Sequence, residues 1–480
     1  MTKQKDMTDA AIVWFRNDLR LHDNVTLTEA IRKSDKVYPV YCFDPRHFAE
    51  TELEFPKTDS YRAQFLVESL QNLRDNLQAI GSDLIVRQGV PESVIPQLAK
   101  EVGASKVLAS KEVTSEERSV EKQMGDRLSP LGIELELIWQ STLLHVDDIP
   151  WPINNVPDIF SQFRREAEKT TQVRNTVPAP DALNNVASIT AGDIPTLDQL
   201  GLLPVEADKR AVLAFKGGET TGLARLDEYF WERDCLKNYK ETRNGMLGAD
   251  YSSKFSAWLA NGSLSPRTIY EEVKRYEQQR VKNKSTYWLV FELLWRDYFR
   301  FIAKKYGNSI FQFGGIQDKS PDLRNDIGLF HKWKNGKTGV PFIDANMREI
   351  NATGFMSNRG RQNVASFLVK DLKVNWTWGA LFFESILIDY DVCSNWCNWN
   401  YMAGVGNDPR ENRYFNIMSQ AQRYDGQGEY VRHWIPELSD VRGKKIHYPT
   451  EIPQPELASM GVRLGEDYPR PLVAFSKWLY

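Results

Sequence analysis

In the first 140 residues, short apolar runs alternate with amphipathic stretches, and after residue 215 the apolar runs of strand type cease. The runs 11–15 (AIVWF), 36–43 (KVYPVYCF), 83–88 (DLIVRQ), 106–110 (KVLAS) and 134–139 (ELELIW) read as strands buried on both faces. Between them, Phe65, Leu66, Leu70, Leu73 and Leu77 recur at helical spacing, and Thr114 with Glu117 forms a capping-box pattern. Alternation of this kind predicts an α/β N-terminal domain, a doubly wound parallel sheet. The first strand is followed by RNDLRLHDN rather than GxGxxG, which removes the main support for a dinucleotide-binding Rossmann reading.

Residues 141–215 carry Pro150, Pro152, Pro157, Pro178, Pro180, Pro195 and Pro204 among short apolar runs. This stretch is expected to be a surface linker, helical around 160–169. Helical patterns then cover 220–238, 265–280, 286–306, 341–353, 358–373 and 378–389, so residues 216–480 are expected to form a larger, all-α C-terminal domain.

The chain has 14 Trp, 19 Tyr and 23 Phe, which suits either large cores or a protein that stacks planar ligands or moves electrons. A net charge of −3 excludes a general nucleic-acid polycation, so any DNA contact needs a local basic patch. Four cysteines are too few and too scattered for a disulfide framework; Cys393 and Cys397, one turn apart, read as small core residues. No HExxH or Cys/His ligand spacing occurs, so no metal is expected, and no G-x-S-x-G or Cys/His nucleophile pattern stands out. Without an h-region or membrane-length apolar run, a cytoplasmic location is expected.

Four constellations remain. Glu292, Trp295 and Arg296 share a helical face, which fits a salt bridge in a bundle or a site that hydrogen-bonds and stacks a heterocycle. Ser252, Ser253, Lys254, Phe255 and Ser256, then Ser265-Pro266, place hydroxyls near helix starts, for capping or for a phosphate. Asn358, Arg361 and Gln362 open a helix whose core face is Val364, Phe367, Leu368 and Leu372, with Arg359 turned toward solvent or a phosphate. Finally, Asp389, Asp391 and Asn395 lead to Trp399 within apolar flanks, and this reads as a buried loop. Carboxylates there need polar partners, because burying them alone is costly.

In this order behind an α/β domain, the four constellations resemble the photolyase/cryptochrome family. The similarity runs from Val13-Trp-Phe-Arg-Asn-Asp-Leu-Arg-Leu-His-Asp-Asn24 to His433-Trp-Ile-Pro-Glu-Leu438. The stretches YKETRNGMLGADYSSKFS, GFMSNRGRQNVASFLVKDL and DYDVCSNW resemble its DASH-type cryptochromes. The resemblance implies FAD in the helical domain, with Tyr239 and Ser252, Ser253, Lys254, Phe255 and Ser256 at its phosphates and ribityl chain. It places Glu292, Arg296, Asn358, Arg361, Asp389 and Asp391 around the cofactor, and Asn395 at the flavin N5. It further implies a 5,10-methenyltetrahydrofolate antenna held by Glu112.

The reaction implied is light-driven opening of cyclobutane pyrimidine dimers by an electron from reduced FAD. Glu292 and Trp295 would bind the lesion, and Arg359 a DNA phosphate. Trp399 and Trp376 match the first two members of the family's electron-transfer chain, while Leu323 stands at its surface exit. Tyr401 replaces a second pocket Trp. Since stacking is worth ~1–3 kcal/mol per base and flipping a base from a duplex costs more than from a single strand, single-stranded DNA is the expected substrate. (6-4) photolyases carry histidines where Asn358 and Gln362 stand, so (6-4) repair is not expected. With three cysteines in the helical part, the iron–sulfur branch is not expected either. The competing readings are a blue-light receptor signalling through its flavin, disfavoured by the lack of a long polar tail before Tyr480, and a flavoprotein that only binds DNA. A monomer is expected.

Overall fold

A computed structural model describes residues 9–183, 189–408, 410 and 413–478; Tyr480, where the sequence closes, lies outside them. Five strands, β1 (Ala10–Phe15), β2 (Lys36–Phe43), β3 (Ile85–Gln88), β4 (Lys106–Ser110) and β5 (Glu134–Ile138), form one parallel sheet in the order β3-β2-β1-β4-β5. All five fall on the apolar runs read from the sequence. Because side chains alternate across a strand, β1 sends Ile12 and Trp14 into one core with Val40, Ile95 and Val107. Val13 and Phe15 enter the opposite core, with Leu70, Leu73 and Leu77 of the Ser60–Ala79 helix.

The chain packs as two compact units, each discontinuous in sequence: Met1–Pro204, Phe215–Lys237 and Lys254–Gly307 in one; Val205–Ala214, Asn238–Ser253 and Asn308–Tyr480 in the other. The first holds the sheet together with the Pro266–Gln279 and Lys284–Tyr306 helices. Two buried ionic contacts tie sheet-side loops to helices there. Asp23 accepts from the Arg267 guanidinium, and Glu219 accepts the backbone N–H groups of Leu21 and His22 at 2.8 and 2.9 Å. The expected surface linker is better integrated than its prolines indicate. Leu143, Leu144, Val156, Phe160 and Phe163 are buried, because Asp297 of the long helix accepts the N–H groups of Leu143 and Leu144 at 2.9 and 2.7 Å.

The second unit is helical. Its central pieces are Pro341–Thr353, Asn358–Ser366 continuing into a π turn over Phe367–Asp371, Trp376–Ile386 and Val392–Ala403. Two expectations fail here and in the sheet unit. The 389–399 stretch is a loop only as far as Asp391, which accepts the Ser394 N–H at 2.8 Å and caps the Val392–Ala403 helix, which carries Asn395 and Trp399. The Thr114–Glu117 capping box does not form, because the Thr114 hydroxyl donates to the Glu117 carboxylate and neither side chain reaches the backbone donor of its box.

Candidate flavin, lesion and antenna site

In the helical unit the site residues are set by close helix approach. Gly360 lies where a Cβ would stand 1.9 Å from Asn346 Oδ1, so only glycine lets the Asn358–Ser366 helix rest on the Pro341–Thr353 helix. That contact leaves Asn358 exposed and Arg361 half-buried on the opening turns. Arg361 Nη2 donates to Asp389 Oδ2 at 2.9 Å, and its Nε donates to the Met356 carbonyl at 2.9 Å. Asp389 is buried, and its Oδ1 has no partner among the described residues. A half-satisfied buried carboxylate is costly and calls for another donor.

One turn beyond Asp391, Asn395 anchors its Nδ2 on the Ala380 carbonyl at 3.1 Å, which leaves its Oδ1 as an acceptor. Trp399 is held by a second close approach, since a Cβ on Gly379 would stand 2.2 Å from Trp399 Cη2. Its ring is edge-on to Trp333 and Phe383, with centroids 6.3 and 5.2 Å apart. Trp376 is fully buried, donates to the Phe313 carbonyl at 3.0 Å, and packs edge-on against Trp396 at 5.8 Å. Phe330 touches both Trp333 and the half-buried Trp378, at 5.9 and 5.6 Å. Leu323 lies in the stretch whose next residue, Arg324, bridges Val374 just before the Trp376 helix. Tyr401 is buried further along the Trp399 helix, Tyr239 is buried, Ser252 is half-buried and Ser253 is buried.

Arg359 is half-buried. It donates to Asn244 Oδ1 at 3.0 Å and Gln362 Oε1 at 2.8 Å, and its guanidinium lies 4.7 Å from the centre of the Tyr424 ring. Burial, with Arg243 and Arg423 close by, pulls its pKa down. This three-arginine cluster escapes sequence reasoning because its members lie on remote segments without shared periodicity.

In the sheet unit, Lys254 takes a left-handed φ of 59°, and the short Ser256–Ala260 helix begins after Phe255 without a side-chain cap. Glu292 accepts from Trp288 Nε1 at 3.1 Å, while Arg296 donates to the carbonyls of Ser141 and, at 3.1 Å, Leu259. Trp295 has one face stacked on Phe160, centroids 3.6 Å apart.

Doubly wound sheets bind ligands beyond the strand ends where the strand order reverses, here between β1 and β4. Most polar groups there satisfy one another. Gln140 Nε2 lies 2.8, 2.6 and 2.8 Å from the Asp18 carboxylate and the Ser110 and Thr26 hydroxyls, and Arg16 pairs with Glu121 at 2.7 Å. Glu112 is the exception: Arg300 pairs with its Oε2 at 2.7 Å, and its buried Oε1 has no partner among the described residues. Cys393 and Cys397 are buried helix residues, and burial raises the Cys397 thiol pKa. Among the described residues no helix is long and apolar enough to cross a membrane.

Comparison with known proteins defines the class. Residues 11–181 match the family model described as DNA photolyase, and residues 288–478 match the one described as FAD binding domain of DNA photolyase. The chain belongs to the photolyase/cryptochrome family, in its DASH-type cryptochrome branch. A cryptochrome DASH of Synechocystis sp. is 54% identical over 476 residues, covering 98% of this chain and 96% of the relative. The crystal structure of Synechocystis sp. cryptochrome superimposes with a TM-score of 0.96 at 53% identity, covering 99% of both chains. A class III photolyase from Agrobacterium tumefaciens gives a TM-score of 0.86 at 29% identity, covering 99% of this chain and 96% of that one. The chain therefore carries an FAD-binding domain of photolyase type.

Proposed function

We propose that this protein repairs cyclobutane pyrimidine dimers in single-stranded DNA under blue light. The observation that carries the reading is Asp389: buried, half-paired with Arg361, and left with a free acceptor among residues that suit an isoalloxazine. Asp389 Oδ1 fits a flavin ring N–H, and Arg361, bonded to Oδ2, holds that carboxylate in place. Asn395, its amide nitrogen held by Ala380, presents Oδ1 to a protonated N5. Tyr239, Ser252, Ser253, Lys254, Phe255 and Ser256 would hold the phosphates and ribityl chain, with Glu292, Arg296, Asn358 and Asp391 completing the set. Bound FAD, reduced and photoexcited, supplies the electron that opens the cyclobutane ring and recovers it afterwards.

The chain's own residues bind and orient the lesion. Glu292 accepts from the pyrimidine N–H groups, Trp295 stacks on the lesion, and Tyr401 gives a smaller stacking surface than Trp. The weaker stack makes extraction from a duplex, which costs a few kcal/mol, the discriminating step. Arg359, with Arg243 and Arg423, takes the phosphates. Glu112 Oε1 fits the N–H edge of a pterin, so the residues present suit a methenyltetrahydrofolate antenna.

The test is illumination of the reduced, flavin-loaded protein with a dimer-containing single strand, following the return of thymine absorbance. Repair is expected on the single strand and much slower on the matching duplex. Tight binding without repair on either substrate would refute the enzyme reading and leave the light-receptor alternative.

A further inference from the structure

The His433-Trp-Ile-Pro-Glu-Leu438 motif contributes to the family resemblance yet supplies no residue to the flavin, lesion or antenna sets. In the helical unit it walls a cleft of about 570 Å³, lined among others by Arg210, Asn335, Arg348, Asn351, Trp434 and Glu437. Small-molecule sites typically span roughly 300–1,000 Å³. Four remote segments build it: 205–214, the C-terminal end of the Ile327–Lys334 helix, the Pro341–Thr353 helix, and the Glu429–Trp434 helix with the turn after it.

The polar groups are arranged to leave capacity for a ligand. The Arg210 guanidinium lies 4.5 Å from the centre of the Trp434 ring and forks onto Asp208, at 3.0 Å to Oδ1 and 2.6 Å to Oδ2. The carbonyl of Arg210 is 3.0 Å from His433 Nε2, which fixes the strap against the motif. Arg348 pairs through Nη1 with Glu437 Oε2 at 2.7 Å. Arg210 Nη1 and Arg348 Nη2 have no partner among the described residues. Asn351 spends its Nδ2 on the carbonyls of Lys334 and Met347 at 2.7 and 2.6 Å, leaving Oδ1 as an acceptor. Trp434 is fully buried, and its Nε1 also lacks an acceptor among the described residues.

Two guanidiniums converging on one cleft, each with an unused N–H edge, match the geometry of a phosphate. A planar base suits the exposed face of Arg210, and an exocyclic amine suits Asn351 Oδ1. We propose that this cleft binds a nucleotide phosphomonoester, with the phosphate between Arg210 and Arg348. The same chemistry is offered by a free nucleotide and by the 5′-phosphorylated end of a strand. The proposal is independent of the repair reading.

The test is calorimetric titration of the flavin-loaded protein with AMP, with adenosine, and with a short oligothymidylate carrying or lacking a 5′-phosphate. AMP is expected to bind at least about tenfold more tightly than adenosine, and Arg348→Gln and Arg210→Gln each to weaken AMP by about tenfold or more. Asn335→Asp, which disturbs neither ion pair, is expected to weaken AMP by charge repulsion while the flavin absorbance stays unchanged. Tighter binding of the phosphorylated strand than of AMP assigns the site to strand ends; the reverse order assigns it to free nucleotides. Equal binding of AMP and adenosine, absence of AMP binding, or unchanged affinity in all three variants would overturn the proposal.

Discussion

Gly379 lies inside the Trp376–Ile386 helix, where alanine is ordinarily preferred by about 1 kcal/mol. Here an added Cβ would meet Trp399 Cη2 at 2.2 Å, Trp399 Cζ3 at 2.7 Å and Leu368 Cδ2 at 2.8 Å. The indole has no room to give. Trp399 is buried and already packed edge-on against Trp333 and Phe383. Overpacking costs ~1–3 kcal/mol, so after the propensity gain Gly379→Ala is expected to lose up to about 2 kcal/mol. Gly125→Ala in the Ser115–Leu128 helix is the internal control. Its Cβ would meet only Leu135 Cδ2, at 3.7 Å, so stability should rise by up to ~1 kcal/mol. The two variants should therefore shift the urea midpoint in opposite directions. Displacing Trp399 should also slow blue-light reduction of the flavin by an external donor, which Gly125→Ala should leave alone. The reasoning fails if Gly379→Ala is as stable as Gly125→Ala and reduces its flavin at the wild-type rate.

Three further outcomes are expected. Trp399 meets Trp333, and Phe330 links Trp333 to Trp378, so Trp378→Phe should slow photoreduction several-fold, whereas Leu323→Trp should speed it by restoring a surface exit; unchanged rates in both would dismiss this route. Burial pushes Asp297 up to about 7, against the two backbone N–H groups it accepts. Its folded pKa exceeds the unfolded value, so the native state binds more protons between roughly pH 4 and 7, and stability should fall as pH rises through that window by up to ~1.4 kcal/mol per unit. Urea midpoints against pH should show this slope in the wild type and lose it in Asp297→Asn. Glu112→Ala strands the buried Arg300 guanidinium and should cost ~3–5 kcal/mol, while Glu112→Gln should cost less and, on the proposed antenna reading, should still weaken folate binding, read by equilibrium dialysis.

The sheet was legible because its inner strands β1, β2 and β4 are buried on both faces and so appear as apolar runs, while the edge strand β5, with no residue fully buried, shows as the alternating ELELI. The strand order was not, since it depends on which faces the helices cover. The Val392–Ala403 helix was hidden for a different reason. Asp391, Ser394, Asn395 and Asn398 look like turn residues, yet one is the cap and Asn398 bonds its nitrogen back to the Ser394 carbonyl at 2.8 Å. Local polarity was spent inside the helix. The same substitution of partners undid the Thr114 capping box, where a side chain took the place of a backbone donor.

The site divides along the same line. Residue types were readable wherever a burial cost demanded them: a carboxylate at 389 among apolar neighbours needs a cation, and Arg361, twenty-eight positions earlier, is that cation. What no spacing encodes is contact across helices. Trp399 and Trp376 invite a chain drawn along the sequence, but Trp399 is edge-on to Phe383 and to another tryptophan, Trp333, which stands ten positions after Leu323. Electron transfer follows ring separation, not residue order. An exit lost at one position therefore need not close the path, provided the buried tryptophan beside Trp399 leads through Phe330 to another ring nearer solvent. Gly379 and Gly360 carry the same lesson from the other side: each is a residue without a side chain whose role is the space it leaves for a neighbour, Trp399 in one case and Asn346 in the other.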